Sequence, residues 1–249
     1  MIEAIRARGL KRLPHGFLTR RGGVSTGEVS GLNTGLGSAD DPAAVFRNRA
    51  LAAEAVLPGA ALVGVYQIHS PDCVTVAEPW PDSERPQADA LVTDRTGNLL
   101  AIVTADCAPV LLADYAEGVI GAAHAGWKGA LGGVTENTVA AMEALGARRE
   151  RIVAAIGPCI AQPSYEVDAD FRERFGQDAA GFFAAGRAGR WQFDLEGYVA
   201  HRLAAAGVGS VERMGLDTYS DGDRFYSFRR AAHRGEADYG RQISLIGLG

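Results

Sequence analysis

Apolar residues along the chain gather into short runs closed off by glycine, proline or acidic residues, the pattern of strands buried on one or both faces. Such runs predict strands at residues 17–19, 61–67, 74–77, 90–93, 99–104, 110–114, 119–124, 151–156, 211–213 and 225–228. Helical spacing is confined to 42–57, 134–145, 169–175 and 195–206. The first of these opens on Asp41 as N-cap, with Pro42 at the first helical position where its missing N–H costs nothing. In the last, Leu195, Tyr198, Val199 and Leu203 share one face, Asp194 caps the start and Gly207 follows the end. Strands outnumber helices and do not alternate with them. That argues against a doubly wound sheet and for an α+β domain of stacked layers. No repeat or linker divides the chain, and the most polar, proline-bearing stretch, 78–88, reads as a surface loop, so residues 1–249 are taken as one domain.

Composition narrows the class. With 249 residues, 47% apolar and 22% charged, the chain can bury a substantial core without disulfide or metal staples. A net charge of −5 and a pI near 5.6 argue against nucleic acid as a partner, which calls for a basic face. The longest apolar run, 99–113, is interrupted by Asp106, so no membrane span is expected. The first 17 residues are charged and lack a signal-type apolar stretch, which leads us to expect a cytoplasmic protein. Three widely spaced cysteines, Cys73, Cys107 and Cys159, form neither a disulfide framework nor a C-x-x-C pair. Of 25 basic residues only Lys11 and Lys128 are lysines, and the 32 glycines cluster at 22–23, 31–37 and 126–133.

Three segments place a reactive side chain where a predicted strand gives way to a turn: Gln67-Ile68-His69-Ser70-Pro71, Thr104-Ala105-Asp106-Cys107-Ala108-Pro109, and the run from Ala122 through His124 to Gly129. Two imidazoles and a thiolate are a natural three-ligand set for Zn²⁺, leaving a fourth position for water or substrate. The same atoms also suit a nucleophilic pair, Cys107 with His124 or His69 as its base. Both readings stand at this point. Asp106, beside Cys107, can orient a ligand or shuttle a proton. The run 126–133, leading into the predicted helix at 134, offers N–H groups from Gly126 and Gly129 to an anion, with Lys128 as a point charge; the same glycines equally permit tight helix–sheet packing. Arg20, in the turn Thr19-Arg20-Arg21-Gly22-Gly23, and Arg229, beside Phe228, are further cationic candidates. Neither G-x-x-x-x-G-K-[ST] nor G-x-G-x-x-G after a strand is present. His15, His201, His233, Cys73 and Cys159 read as packing or surface residues.

QIHS, QADALVT, TADCAPVLL, AHAGWKG, AIGPCI, YEVD and FYSFRR, with TRRGGVS and GLNTGLG near the start, together resemble the laccase-domain or YfiH-like family. That family is also known as polyphenol oxidoreductase-like, peptidoglycan editing factor and purine nucleoside phosphorylase. The resemblance covers nearly the whole chain. It implies a single α-β-β-α layered sandwich with mixed sheets and a metal site at His69, Cys107 and His124, and it matches Arg20 to the family's T-R-x-G-G turn. Two positions depart from the family pattern: Ser164 replaces a frequent second cysteine, and Asp217 stands where C-T-Y is common, a change in a possible pocket wall. The implied activity is zinc-dependent phosphorolysis of inosine, guanosine or adenosine to base and ribose 1-phosphate, with adenosine deamination as a second activity. The alternatives are an amidase removing L-Ser from a UDP-MurNAc-L-Ser precursor, a polyphenol oxidase with bound copper, and a metal- or nucleotide-binding protein without catalysis. Five histidines are too few for a multicopper centre, although copper can displace zinc in vitro. Oligomeric state is not readable from the sequence.

Overall fold

The computed structural model of the protein describes residues 2–249. Strands β1 (Ala4–Ile5) and β2 (His15–Leu18) precede helix α1 (Pro42–Val56). There follow β3 (Ala61–Gly64), β4 (Cys73–Thr75), β5 (Ala90–Thr93), β6 (Asn98–Thr104), β7 (Ala108–Asp114) and β8 (Val119–Ala125). Helices α2 (Trp127–Gly132) and α3 (Val134–Ala144) lead to β9 (Val153–Ile156), β10 (Glu166–Asp168) and the short α4 (Ala169–Glu173). The last part comprises β11 (Phe183–Ala185), β12 (Arg190–Phe193), α5 (Leu195–Ala205), β13 (Ser210–Arg213), α6 (Phe228–Arg234) and β14 (Gln242–Gly247).

Two mixed sheets stack face to face, one of five strands in the order β1-β2-β14-β6-β3, the other of six in the order β13-β9-β7-β8-β5-β4. Side-chain alternation decides what each face meets. Along β6, Leu99 and Ala101 join Leu18, Ile243 and Leu245 under α1, while Leu100 and Ile102 face the other sheet. Along β7, Leu111 and Ala113 meet Phe17, Val63 and Leu100 between the sheets, and Val110 and Leu112 join Val139, Met142, Val199 and Leu203 of α3 and α5. The layers therefore run α-β-β-α, the architecture that the family resemblance implies. A three-stranded sheet, β10-β12-β11, attaches on the α5 side through the Phe175, Phe183, Phe193 and Tyr198 rings.

Several elements differ from the sequence reading, each for a physical reason. The apolar run 61–67 stays in its sheet only to Gly64, because the chain then leaves that sheet for the other. Residues 225–227 pair with no strand and Phe228 opens α6: Ser227 caps the helix, its Oγ accepting the Arg230 N–H at 3.1 Å, and the Tyr226 N–H goes to Gln242 Oε1 at 2.9 Å. The glycine-rich run 126–133 is itself largely helical, α2 being separated from α3 by Gly133 at a φ of 102°. Strand β14 escapes an alternation test because all of its residues are buried, as the centre of a covered sheet allows.

The caps at Asp41 and Asp194 form as expected, accepting the N–H of Ala43 and Gly197 at 3.0 and 2.8 Å. A cap and a core side chain should separate in energetic weight. Leu111→Ala, emptying a fully buried position between the sheets, is expected to lower stability by about 2–5 kcal/mol, and Asp41→Ala by about 1 kcal/mol. Urea unfolding of the two variants, compared at unchanged m, checks the ordering; equal losses would mean that the sheet interface is looser than its burial implies.

Candidate active site

Two connections carry the chain from the five-stranded sheet to the six-stranded one: residues 65–72 between β3 and β4, and residues 105–107 between β6 and β7. Each turns through a non-glycine residue at positive φ, His69 at 62° and Asp106 at 84°, the two such residues among those described. L-residues pay for that conformation, so it persists only where neighbours over-determine it. The two crossings bring His69 and Cys107 beside His124, which sits near the end of β8 opposite Pro109 of β7. The ligand atoms of His69, Cys107 and His124 all lie within 4.8 Å of one another, with Cys107 Sγ 3.9 Å from His69 Nε2. Glycine is required at 126: a Cβ there would fall 2.9 Å from Cys107 Sγ and 3.0 Å from His69 Cδ2.

Asp89 holds the group in place, and sequence reasoning missed it. Fully buried just before β5, its Oδ1 pairs with His124 Nδ1 at 2.7 Å, while its Oδ2 accepts the N–H groups of Ile68 and Ser70 at 3.0 and 2.6 Å. One carboxylate thus fixes the ring of one histidine and clamps the backbone on both sides of the other. With Nδ1–H directed at Asp89, Nε2 is the His124 atom left for the cluster. The only signal in the sequence was the acidic residue inside QADALVT.

Without a cation, Cys107 and His124 form a thiolate–imidazolium pair. Burial pushes the Cys107 thiol up, but the His124 and His69 imidazoles outweigh it and bring the thiol down to about 6. His124 moves the opposite way: burial lowers it, whereas the Cys107 thiolate and Asp89 raise it to about 9. Burial also works against the Asp89 carboxylate, yet His124 and the two N–H donors keep it below the usual carboxylate range. A metal ion entering the cluster takes the place of the proton that the thiolate and imidazole otherwise share.

A cavity of about 640 Å³ opens on this group, walled by Trp127, Tyr165, Phe171, Phe228 and Tyr239 together with Asp106 and Arg229. Asp106 lines it but is fully engaged, Oδ1 accepting the Thr218 hydroxyl and Oδ2 the Arg229 N–H, each at 2.7 Å. Burial raises it above the ordinary carboxylate range despite these bonds. Arg229 spans the cavity wall, Nη1 donating to the Glu166 carbonyl at 2.8 Å with its guanidinium 5.3 Å from the centre of the Tyr165 ring. The other anion candidates lie elsewhere. Lys128 is exposed on α2, 5.6 Å from the Trp127 ring centre. Gly129 packs against the Ser70 and His124 carbonyls, so the glycines of this run serve close approach. Arg20 donates to the Ser30 and Gly222 carbonyls and lies over Tyr226. Ser164 and Asp217, the two departures from the family pattern, bond to each other at 2.7 Å and do not line this cavity.

Residues 14–249 match the model of the family described as multi-copper polyphenol oxidoreductase laccase. Among characterised relatives, the chain is 45% identical over 240 residues to a Deinococcus radiodurans protein named purine nucleoside phosphorylase, covering 95% of this chain and 89% of that one. It is 43% identical over 216 residues to purine nucleoside phosphorylase ORF3 of Streptomyces griseus, covering 86% and 87%. Of solved structures, a Neisseria meningitidis protein of the DUF152 family superposes with a TM-score of 0.89 at 36% identity, covering 99% and 98% of the two chains. YlmD from Geobacillus stearothermophilus superposes at 0.87 with 29% identity, covering 97% and 93%.

The role assigned to Asp89 is directly testable. Asp89→Asn removes the charge behind His124 while keeping its volume, and is expected to weaken zinc binding by about 10–100-fold. Competition with a chromophoric chelator measures it, and an unchanged affinity would show that His124 needs no such partner.

Proposed function

The chain belongs to the multi-copper polyphenol oxidoreductase laccase family, and we propose that it catalyses zinc-assisted phosphorolysis of purine nucleosides. The observation that carries this reading is the aromatic cavity opening on His69 and Cys107, two members of the group they form with His124. Its volume of about 640 Å³ and its flat walls suit a nucleoside, whose base stacks on aromatic faces. The names of the relatives, at 43–45% identity, support the same reaction.

The donor set fits zinc. A tetrahedral ion about 2.3 Å from sulfur and about 2.0 Å from nitrogen sets such ligands ~3.5 Å apart, and the sulfur and nitrogen of Cys107 and His69 stand at 3.9 Å. Held by these three donors, a tetrahedral ion would keep one position for water or substrate. The remaining histidines are engaged elsewhere: His15 bonds the Leu13 carbonyl and the Ala7 N–H, His233 bonds the Tyr219 hydroxyl, and His201 is exposed on α5. That distribution favours one metal ion and disfavours a multicopper centre. Bound there, zinc supplies Lewis acidity at its open position.

The protein's own groups orient the substrate. Trp127 and Tyr165 present the inner faces for the purine, with Phe228 and Tyr239 closing the outer side in an edge-to-face pair 5.1 Å apart. Asp106 does not transfer a proton in this reading. It fixes the Arg229 backbone, and so the start of α6, against the crossing that bears Cys107. Arg229 then stands over the base with its guanidinium already oriented, where it favours charge developing on the departing purine. Deamination of adenosine would use the same cavity and the same metal position.

Cys107→Ala removes a ligand and is expected to cut phosphate-dependent release of hypoxanthine from inosine by more than the 10–100-fold typical of losing an outer partner. Chromatography of the released base measures it. Full activity in this variant rejects the site, and release of L-serine from UDP-MurNAc-L-Ser, with no base released from inosine, would transfer the cluster to the amidase reading.

A further inference from the structure

A second cavity, of about 360 Å³, lies against the same cluster and shares only His69, Ala105, Cys107 and Tyr239 with the aromatic one. Its character is different. The aromatic cavity mixes Asp106, Glu166 and Asp168 with its arginines, whereas the second is lined by Arg85 and Arg241 and by no carboxylate. We propose that this second cavity is an oxyanion subsite that takes the phosphate co-substrate, held by Arg85, Arg241 and Thr104. The assignment rests on the phosphorolysis reading above for its role, but not for the binding itself.

Thr104 supplies an observation that points to a ligand independently of charge. It is 3% exposed and lines the second cavity, yet its hydroxyl has no hydrogen-bond partner among the described residues. A buried hydroxyl left unpaired is costly, and native structures keep one where a bound group completes it. Both arginines are similarly open. Among the described residues Arg241 forms no ion pair; one Nη donates to the Tyr239 carbonyl at 3.2 Å while the guanidinium lies 4.3 Å from the Tyr239 ring centre. Arg85 bonds through Nε to the Asp82 carbonyl at 2.8 Å and stands 3.9 Å from the Asp82 carboxylate, which is drawn instead to Arg49 at 2.9 Å. Its two Nη groups have no hydrogen-bond partner among the described residues. Gly35, in the facing wall, leaves room for Arg241: a Cβ there would fall 2.5 Å from Arg241 Cδ. Two guanidinium groups with Nη donors to spare and a hydroxyl, beside the His69, Cys107 and His124 group, match a tetrahedral oxyanion.

The two cavities fit an in-line displacement, with the sugar crossing the shared wall at His69, Cys107 and Tyr239. A phosphate oxygen bonds to C1′ of the ribose, the C1′–N9 bond breaks, and its electron pair leaves with the purine. Hydrogenphosphate also provides the proton that N9 gains, so nucleoside and phosphate become ribose 1-phosphate and free base. Attack from one cavity and departure into the other places nucleophile and leaving group on opposite sides of C1′.

Two measurements on the zinc-loaded protein test the subsite. Calorimetric titration with inorganic phosphate alone, without nucleoside, should give binding in the wild type that is lost in Arg241→Gln and in Arg85→Gln. In inosine assays the phosphate KM should rise at least about tenfold in each arginine variant, the loss of one charge-assisted hydrogen bond, with the inosine KM within about twofold. Thr104→Val, which removes an unpaired hydroxyl at constant shape, should raise the phosphate KM while preserving thermal stability, so that its effect is not one of unfolding. Inosine 5′-monophosphate serves as the second source of the same chemistry. Competition by the nucleotide with phosphate for the wild type but not for Arg241→Gln would place its phosphoryl group in the subsite and support the assignment. Phosphate binding that depends on Arg241 in a protein that does not cleave inosine would keep the subsite and reject the phosphorolysis reading. Cleavage of inosine with an unchanged phosphate KM in all three variants overturns the subsite alone.

Discussion

The site depends on a carboxylate that no solvent reaches. Asp89 lies at the start of β5 in the six-stranded sheet and bonds at once to the His124 ring and to the backbone on either side of His69, which belongs to a connection arriving from the other sheet. Burying an anion is unfavourable by itself, and three donors within 3.0 Å compensate it. Those donors belong to two segments that the fold must bring together. The carboxylate is therefore satisfied only when the sheets are stacked in register, and the left-handed turn at His69 is held by the same bonds. Asp106 performs the parallel task on the second crossing, tying it to Thr218 and to the start of α6.

How far such an arrangement can be read from a sequence depends on whether its partners are local. The grouping of His69, Cys107 and His124 was legible because each follows an apolar run and precedes a turn, a signal contained in a few adjacent residues. The α+β class was legible from the excess of strands over helices, whereas the α-β-β-α layer order came from the family resemblance, because runs such as 99–104 and 110–114 are apolar up to their last residue and carry no alternation. Asp89 was not legible, because its defining partner His124 lies 35 residues away and an acidic residue before a strand looks like any surface carboxylate. Lys128 shows the opposite error. Its rarity among the basic residues drew attention to it, but side-chain direction on α2 carries it into solvent. Arg20 stands in a recognisable motif and spends its donors on the Ser30 and Gly222 carbonyls, a use that no motif announces.

The glycines of 126–133 illustrate how one sequence feature can serve chemistry without binding a ligand. At a strand-to-helix junction they suggested N–H groups offered to an anion. Their observed service is steric: Gly126 makes room for the sulfur and imidazole that meet in front of it, and Gly129 lets α2 settle on the Ser70 and His124 carbonyls. A group drawn from three separate segments needs that space, because Cys107 and His69 meet against the backbone of Gly126.

The family's descriptive name speaks of several copper ions, and the distribution of histidine in this chain argues for simpler chemistry. Copper centres that reduce oxygen pass electrons among metal ions, so their ligands must be numerous and close together. Here two histidines converge with one cysteine, while His15 is buried near the N-terminal strand and His233 lies against Tyr219. A lone ion with one open position cannot store several electrons, but it can polarise a bond or a bound oxygen. The surroundings agree with the second role. On one side aromatic rings offer faces to a flat, uncharged group, and on the other Arg85 and Arg241, in a cavity lined by no carboxylate, offer charge to an anion. A phenol to be oxidised needs the first of these and has no use for the second. A nucleoside and a phosphate need both, on opposite sides of the atom where they exchange.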